Sequence, residues 1–182
     1  IGIPSAFQYS LFAFANLFVQ SSVNSFDHVL VEGNSAAANA DPLVYDMMAA
    51  FYTACSSFIA QNFGARKKKR ILQTYLICLF YSFITSLVLG VGIYLARYPF
   101  LYLFTSDKAV VEAGITRLSI MALSYSASAF MDASIAASRG LGKTAVPTFV
   151  VVMGSCVFRI IWIYTIFAYF HTIQSLYILY VF

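Results

Sequence analysis

A polytopic bundle of transmembrane helices (all-α) is the fold class this sequence predicts, and three observations predict it. Of its 182 residues, 61% are hydrophobic and 10% charged, where a soluble domain carries about 25% charged residues. The apolar residues gather into stretches of about 20 residues or more, the length that crosses a hydrocarbon core, and the 13 Tyr and 18 Phe suit helices whose ends rest at the interface. Finally, the net charge of +4 is unevenly placed, with Arg66 to Arg70 forming one unbroken basic run. A mean hydropathy of +0.81 leaves more apolar surface than a core in water can hide, so the lipid bilayer is the expected partner.

The chain has room for about five or six spans. The first is expected over 4–26, with Pro4 in the first turn, where its missing N–H would have no intrahelical partner. At 100° per residue Asn16, Gln20 and Asn24 fall within an arc of about 80°. That polar stripe should face protein or water. A second helix is expected over 33–63, kinked at Asp41-Pro42 because proline removes an intrahelical bond. It carries Asp46, Thr53 and Ser57 near one face, and alanines that permit close packing. Gly64 is its expected stop, and the basic run follows.

A third helix is expected over 71–96, about 39 Å long at 1.5 Å per residue. Arg97, Tyr98 and Pro99 close it, and Phe100 to Lys108 reads as an interfacial loop. The fourth is expected over 110–138, with Ser124, Ser128 and Asp132 spaced i, i+4, i+8 on one face. Arg139-Gly140-Leu141-Gly142-Lys143-Thr144 then reads as a loop. The fifth is expected over 146–170, with Pro147 in its first turn and Arg159 near its middle. His171 to Ser175 forms a polar loop, and a sixth helix would begin near Leu176. Because the chain opens at Ile1 without Met or a basic leader, and ends inside an apolar stretch, the sequence reads as a fragment that stops before its last helix.

If the spans alternate, Arg66, Lys67, Lys68, Lys69, Arg70, Arg139 and Lys143 share one side, and the other side holds Arg97 and Lys108. The basic side is expected to be cytoplasmic, which places the chain in the plasma membrane as a multi-pass protein.

Several function classes are excluded or disfavoured. The basic run sits between apolar helices, so nucleic acid is not an expected partner. Gly142-Lys143-Thr144 resembles the tail of a phosphate-binding loop, but that motif needs Gly where Ala137 stands and a preceding strand. Cys55, Cys78 and Cys156 lack the paired spacing of a disulfide framework or zinc site, and His28 and His171 are isolated. No metal site is expected, nor a resident cofactor. No nucleophile, base and orienting group can be assembled, so the chain is not read as an enzyme.

The chemistry-bearing residues are the ionisable ones at depth: Asp46, Asp132 and Arg159. A charge at the bilayer centre costs roughly 2.5–3.5 kcal/mol on insertion scales, so such residues face a cavity or a partner. One reading is a buried pair of Arg159 with one of the two acids. The other is a proton or cation site built on Asp132. Ser128 lies on the same face, and Tyr125, within about 20° of Asp132 around the helix, is positioned to donate a hydrogen bond. A carboxyl held between burial, which disfavours its charge, and a nearby cation, which favours it, can titrate near neutral pH.

Four segments together resemble the multidrug and toxic compound extrusion (MATE) transporters. They are Ile1-Gly2-Ile3-Pro4 with Asn24-Ser25-Phe26; Ser57 to Ala65 followed by the basic stretch; Arg139-Gly140-Leu141-Gly142-Lys143-Thr144 with Pro147; and Gly154 to Trp162. The resemblance covers nearly the whole chain and places it as the second, C-terminal bundle. It implies twelve helices in two six-helix bundles, the first bundle of the same full-length protein being the partner of this one. It also implies antiport by alternating access: export of drugs or other organic compounds, often cationic, in exchange for protons or sodium ions. Asp27 and His28 depart from the expected Gly and small residue, and Ala49 stands where some relatives carry Asn. Asp132 stands closer to the Arg-Gly turn than the cation-binding acid of some members does. The substrate- or cation-binding candidates are therefore Asp132, Tyr125, Ser128, Asp46, Asn16, Gln20, Asn24 and Arg159. The rival readings are a lipid-linked saccharide flippase, which would line its cavity with cations, and a non-transporting receptor or scaffold.

Overall fold

The computed structural model describes residues 2–167, 169 and 177, and helices account for nearly all of these described residues. They are α1 (Gly2–Val23), α2 (His28–Ala38), α3 (Ala40–Gly64), α4 (Lys68–Leu95), α5 (Arg97–Tyr102), α6 (Lys108–Gly140), α7 (Ala145–Val151) and α8 (Phe158–Trp162). α7 and α8 are parts of one C-terminal helix, Ala145–Phe167, interrupted by π-helical turns at Val152–Val157 and Ile163–Phe167. The expected loop at His171–Ser175 and the sixth helix lie outside the described residues.

Among the described residues three helices are long and apolar enough to cross a membrane: His28–Gly64, Lys68–Leu95 and Ala145–Phe167. α6 makes a fourth when its two halves, bent by 43° between Ala122 and Ser124, count as one span. α1 contributes a shorter apolar stretch, Ser10–Val23.

Several local expectations are corrected. The second helix begins at His28, because the Asp27 carboxylate caps it by accepting from the His28 N–H at 2.9 Å. Its break falls at Asn39, between α2 and α3, and not at Asp41-Pro42. Pro42 lands in the first turn of α3, where no intrahelical partner is lost. The chain after α4 is not simply a loop: Arg97–Tyr102 form α5, whose Leu101 is buried against α6. The fourth helix is one turn longer than expected and bent. Ser119, Ser124 and Ser128 each return their hydroxyl to the carbonyl four residues back, a contact that bends helices.

The two helix stops facing the basic side use the same geometry. After α6, Gly142 takes φ +76°, its N–H bonds Arg139 O at 2.9 Å, and the Lys143 N–H bonds Ser138 O at 3.0 Å. These two bonds satisfy carbonyls that the last turn would leave bare. After α3 the left-handed residue is Arg66, at φ 56°, with Arg66 N–H to Phe63 O at 3.0 Å and Lys67 N–H to Asn62 O at 2.9 Å. Gly64, the expected stop, is instead the last helical residue.

Packing divides the bundle. α2, α3, α4 and α6 pack on one another, and α1 packs on the C-terminal helix. The core between α3 and α6 is Val44, Met48, Met121, Tyr125 and Ala129. Glycine permits the closest approaches: a Cβ on Gly33 would lie 2.7 Å from the Ala113 Cβ and 2.8 Å from Val110 O. The three cysteines are free, and the thiols of Cys55 and Cys78 face each other across α3 and α4.

Candidate functional site

Between the α1 and C-terminal-helix pair and the α3 and α6 faces lies a half-open cleft of about 1000 Å³. α3 contributes Tyr45, Asp46, Ala49, Tyr52, Thr53 and Ser56, spaced so that they follow one side of the helix. From α6 come Ser128, Met131, Asp132, Ile135 and Arg139. α1 supplies Phe12, Ala13 and Asn16, and the C-terminal helix Val151, Ser155 and Arg159.

Five of the predicted site residues meet here: Asn16, Asp46, Ser128, Asp132 and Arg159. Arg159 is buried at 8% exposure. It donates from Nη1 to the Asn16 Oδ1 at 2.8 Å, and its guanidinium lies 5.2 Å from the centre of the Phe12 ring. That bond ties α1 to α8. The π-helical turn Val152–Val157 stands just before it and places Ser155 and Arg159 on the cleft wall; such turns recur at functional sites. Asp132 is half-buried and is faced by Arg139 and by the Tyr52 hydroxyl, which accepts from Ser82 Oγ at 3.3 Å. The side chain of Tyr45 faces Ser128. The wall thus carries two carboxylates and two guanidinium groups among aromatic rings and small hydroxyls. A cavity of this size suits small organic molecules.

The other three predicted residues sit elsewhere. Gln20 and Asn24 are exposed and bond each other, Gln20 Nε2 donating to Asn24 Oδ1 at 3.0 Å. Tyr125 is fully buried and donates to the Asp41 Oδ1 at 2.5 Å, so it does not serve Asp132. A separation of seven residues is about 10.5 Å along the helix axis, too far for the expected bond despite the shared bearing.

Tyr125 belongs to a second polar cluster that sequence reasoning missed. Arg117 on α6 is 3% exposed. Its Nη2 meets the Asp41 Oδ2 at 2.6 Å, and its Nη1 donates to the Asn34 carbonyl at 2.8 Å. One guanidinium therefore holds both sides of the α2–α3 break. Arg117 stands as the one cation inside the expected helix 110–138, and that was the available signal.

The two clusters adjoin, the Tyr45 ring on the cleft meeting the Tyr125 ring edge to face with centroids 5.7 Å apart. The cleft follows α3 from Tyr45 to Ser57 and α6 from Ala127 to Arg139, toward the basic loops. Asp41, Arg117 and Tyr125 lie toward the other end of the same two helices. Among the described residues no group of three or more His, Cys, Asp or Glu converges on one point.

Comparison with known proteins gives two findings. The MatE family model matches residues 4–165. Among solved structures, the chain is similar to a MOP superfamily transporter from Pyrococcus furiosus at 21% identity and a TM-score of 0.75. The match covers 98% of this chain and 39% of that one. That transporter is described as having a binding pocket of reverse polarity that suggests a different function. No curated protein gives a significant match.

Proposed function

We propose, because the chain belongs to the MatE family of membrane transporters, that it forms the C-terminal bundle of a secondary antiporter and supplies one wall of the substrate path. The single observation that carries this reading is the cleft itself: Asp46 and Asp132 line about 1000 Å³ together with Phe12, Tyr45 and Tyr52. Carboxylates among aromatic faces are the chemistry that holds an organic cation. In this reading the substrate is a drug or other organic compound, and a proton or sodium ion competes for Asp132. Binding of either then biases a two-state rocking of the bundles around the fixed site.

In the same reading the basic loops are cytoplasmic, and the cleft lies toward the cytoplasmic ends of α3 and α6. Asp41, Arg117 and Tyr125 hold α2, α3 and α6 together beyond it. The chain spans about two fifths of the length of the solved transporter it matches, so transport is a property of the complete protein with its N-terminal bundle.

A second reading is favoured by Arg139 and Arg159, which line the same cleft. Two guanidinium groups suit an anionic substrate such as a lipid-linked saccharide. The experiment that separates the readings uses the complete protein in proteoliposomes with an imposed proton or sodium gradient. The antiporter reading predicts gradient-driven movement of a fluorescent organic cation that Asp132→Asn abolishes at unchanged abundance. Movement only of anionic substrates, or cation transport unaffected by both Asp132→Asn and Asp46→Asn, refutes it.

A further inference from the structure

α6 carries a second hollow on the side opposite the cleft. Its residues Ser134 and Ala137, with the C-cap Leu141, line a groove of about 450 Å³ that also touches α3 and α4, whereas Ile135, Ala136 and Arg139 line the cleft. At 100° per residue the two sets lie about half a turn apart around the helix. The groove wall is apolar, formed chiefly by Phe63, Ile71, Leu72, Ala137 and Leu141. Its polar side-chain atoms meet each other, Tyr75 Oη and Ser134 Oγ lying 3.1 Å apart. Phe63 and Leu72 are 55% and 59% exposed, so this face looks outward to the surroundings of the bundle.

Charge distinguishes this groove from an ordinary lipid-facing surface. Lys68 stands in its lining, inside the run Arg66–Arg70, every member of which is exposed. No Asp or Glu occurs between Asp46 and Asp107, so nothing nearby in sequence neutralises the run. On α6 the nearest acid, Asp132, faces the cleft. An apolar slot with Lys68 in its wall and the rest of the basic run beside it in sequence, at the basic-loop end of the bundle, matches one ligand chemistry. That ligand has a hydrocarbon chain and a negative headgroup.

We infer that the groove between α3, α4 and α6 is a binding site for one anionic phospholipid, its acyl chain lying along Leu72 and Ala137 and its phosphate held by Lys68 and the neighbouring cations. The site is separate from the proposed transport path and does not depend on what that path carries. A lipid seated there joins the cytoplasmic-side ends of three helices.

Native mass spectrometry of the delipidated protein, offered equal phosphatidylglycerol and phosphatidylcholine, tests the assignment. The expected result is retention of one phosphatidylglycerol in preference to phosphatidylcholine. Lys68→Gln should lower that retention about fivefold, which corresponds to the ~1 kcal/mol that one cation contributes at a membrane surface. Lys143→Gln, an exposed change in the other basic loop, should leave it unaltered. Ala137→Phe fills the groove and should abolish retention. Should that variant fail to fold, Leu72→Ser, at an exposed position, carries the same test and should weaken retention. Free glycerol phosphate should not compete. Equal retention of the two lipids, an equal loss in Lys143→Gln and Lys68→Gln, retention unchanged by the groove variants, or displacement by glycerol phosphate would each overturn the inference.

Discussion

Replacing Asp41 by asparagine is expected to destabilise the bundle by breaking a buried ion pair. The Arg117 side chain is 4% exposed and that of Asp41 24%. The Asp41 carboxylate accepts from Arg117 Nη2 at 2.6 Å and from the Tyr125 hydroxyl at 2.5 Å. The amide of Asp41→Asn would keep the shape but leave the guanidinium buried without its countercharge. Breaking a buried pair by removing one partner costs about 3–5 kcal/mol, and the partial exposure of Asp41 argues for the lower end, ~3 kcal/mol. For a chain of this size that corresponds to a fall in melting temperature of roughly 6–12 °C. Tyr125→Phe removes one hydrogen bond and should cost about 1 kcal/mol. The triple variant Asp41→Leu, Arg117→Leu and Tyr125→Phe removes both charges and the hydroxyl bonded to Asp41, and should recover most of the loss, because apolar replacement of a whole buried group is close to neutral. Thermal unfolding in detergent, followed by circular dichroism, measures all three. A change below about 0.5 kcal/mol in Asp41→Asn, the scale of an ordinary surface substitution, would refute the reasoning.

Three further predictions follow from the same geometry. Arg66→Gly should stabilise by about 1 kcal/mol, because Arg66 stands at φ 56°, where an L side chain carries a penalty that glycine lacks; thermal unfolding reads this directly. Gly33→Val should destabilise by about 2 kcal/mol through overpacking, since a Cβ there meets the Ala113 Cβ at 2.7 Å; melting in detergent again checks it. In the complete protein, Lys68→Cys and Lys108→Cys should react from opposite sides with an impermeant maleimide, Lys108→Cys from outside; labelling of Lys68→Cys from outside contradicts the orientation.

The helices were legible because each is an apolar run bounded by charge, glycine or a capping acid, and such runs are local. The stops were less so. Gly64 drew the expected end of α3, yet the left-handed residue is Arg66, since closure of the last turn depends on which carbonyls remain unpaired and not on where glycine stands. The cleft was half legible. Asp132, Ser128 and Asp46 were readable as polar residues on apolar helices, and Asn16 as part of a stripe. A helical wheel, however, records bearing and ignores rise. Gln20 and Asn24 share the bearing of Asn16 but lie about 6 and 12 Å further along the axis, beyond the reach of Arg159. The same omission joined Tyr125 to Asp132. The Asp41–Arg117 pair links residues 76 apart, and no local spacing announces such a partner. Tyr45 and Tyr52 were likewise passed over, although their register with Asp46 and Thr53 on α3 was visible in the sequence.

The central claim is that the cleft between α3, α6 and the α1–α8 pair holds the transported molecule. Its most direct test is substrate protection of a cysteine placed on that wall. Ser128→Cys, in a background of the complete protein lacking accessible native cysteines, should react with a small soluble maleimide from the basic-loop side. A transported organic cation should slow that reaction in proportion to its occupancy, and should leave Lys143→Cys, which lies outside the cleft, unaffected. Reaction of Ser128→Cys at the same rate with saturating substrate and without it would contradict the account.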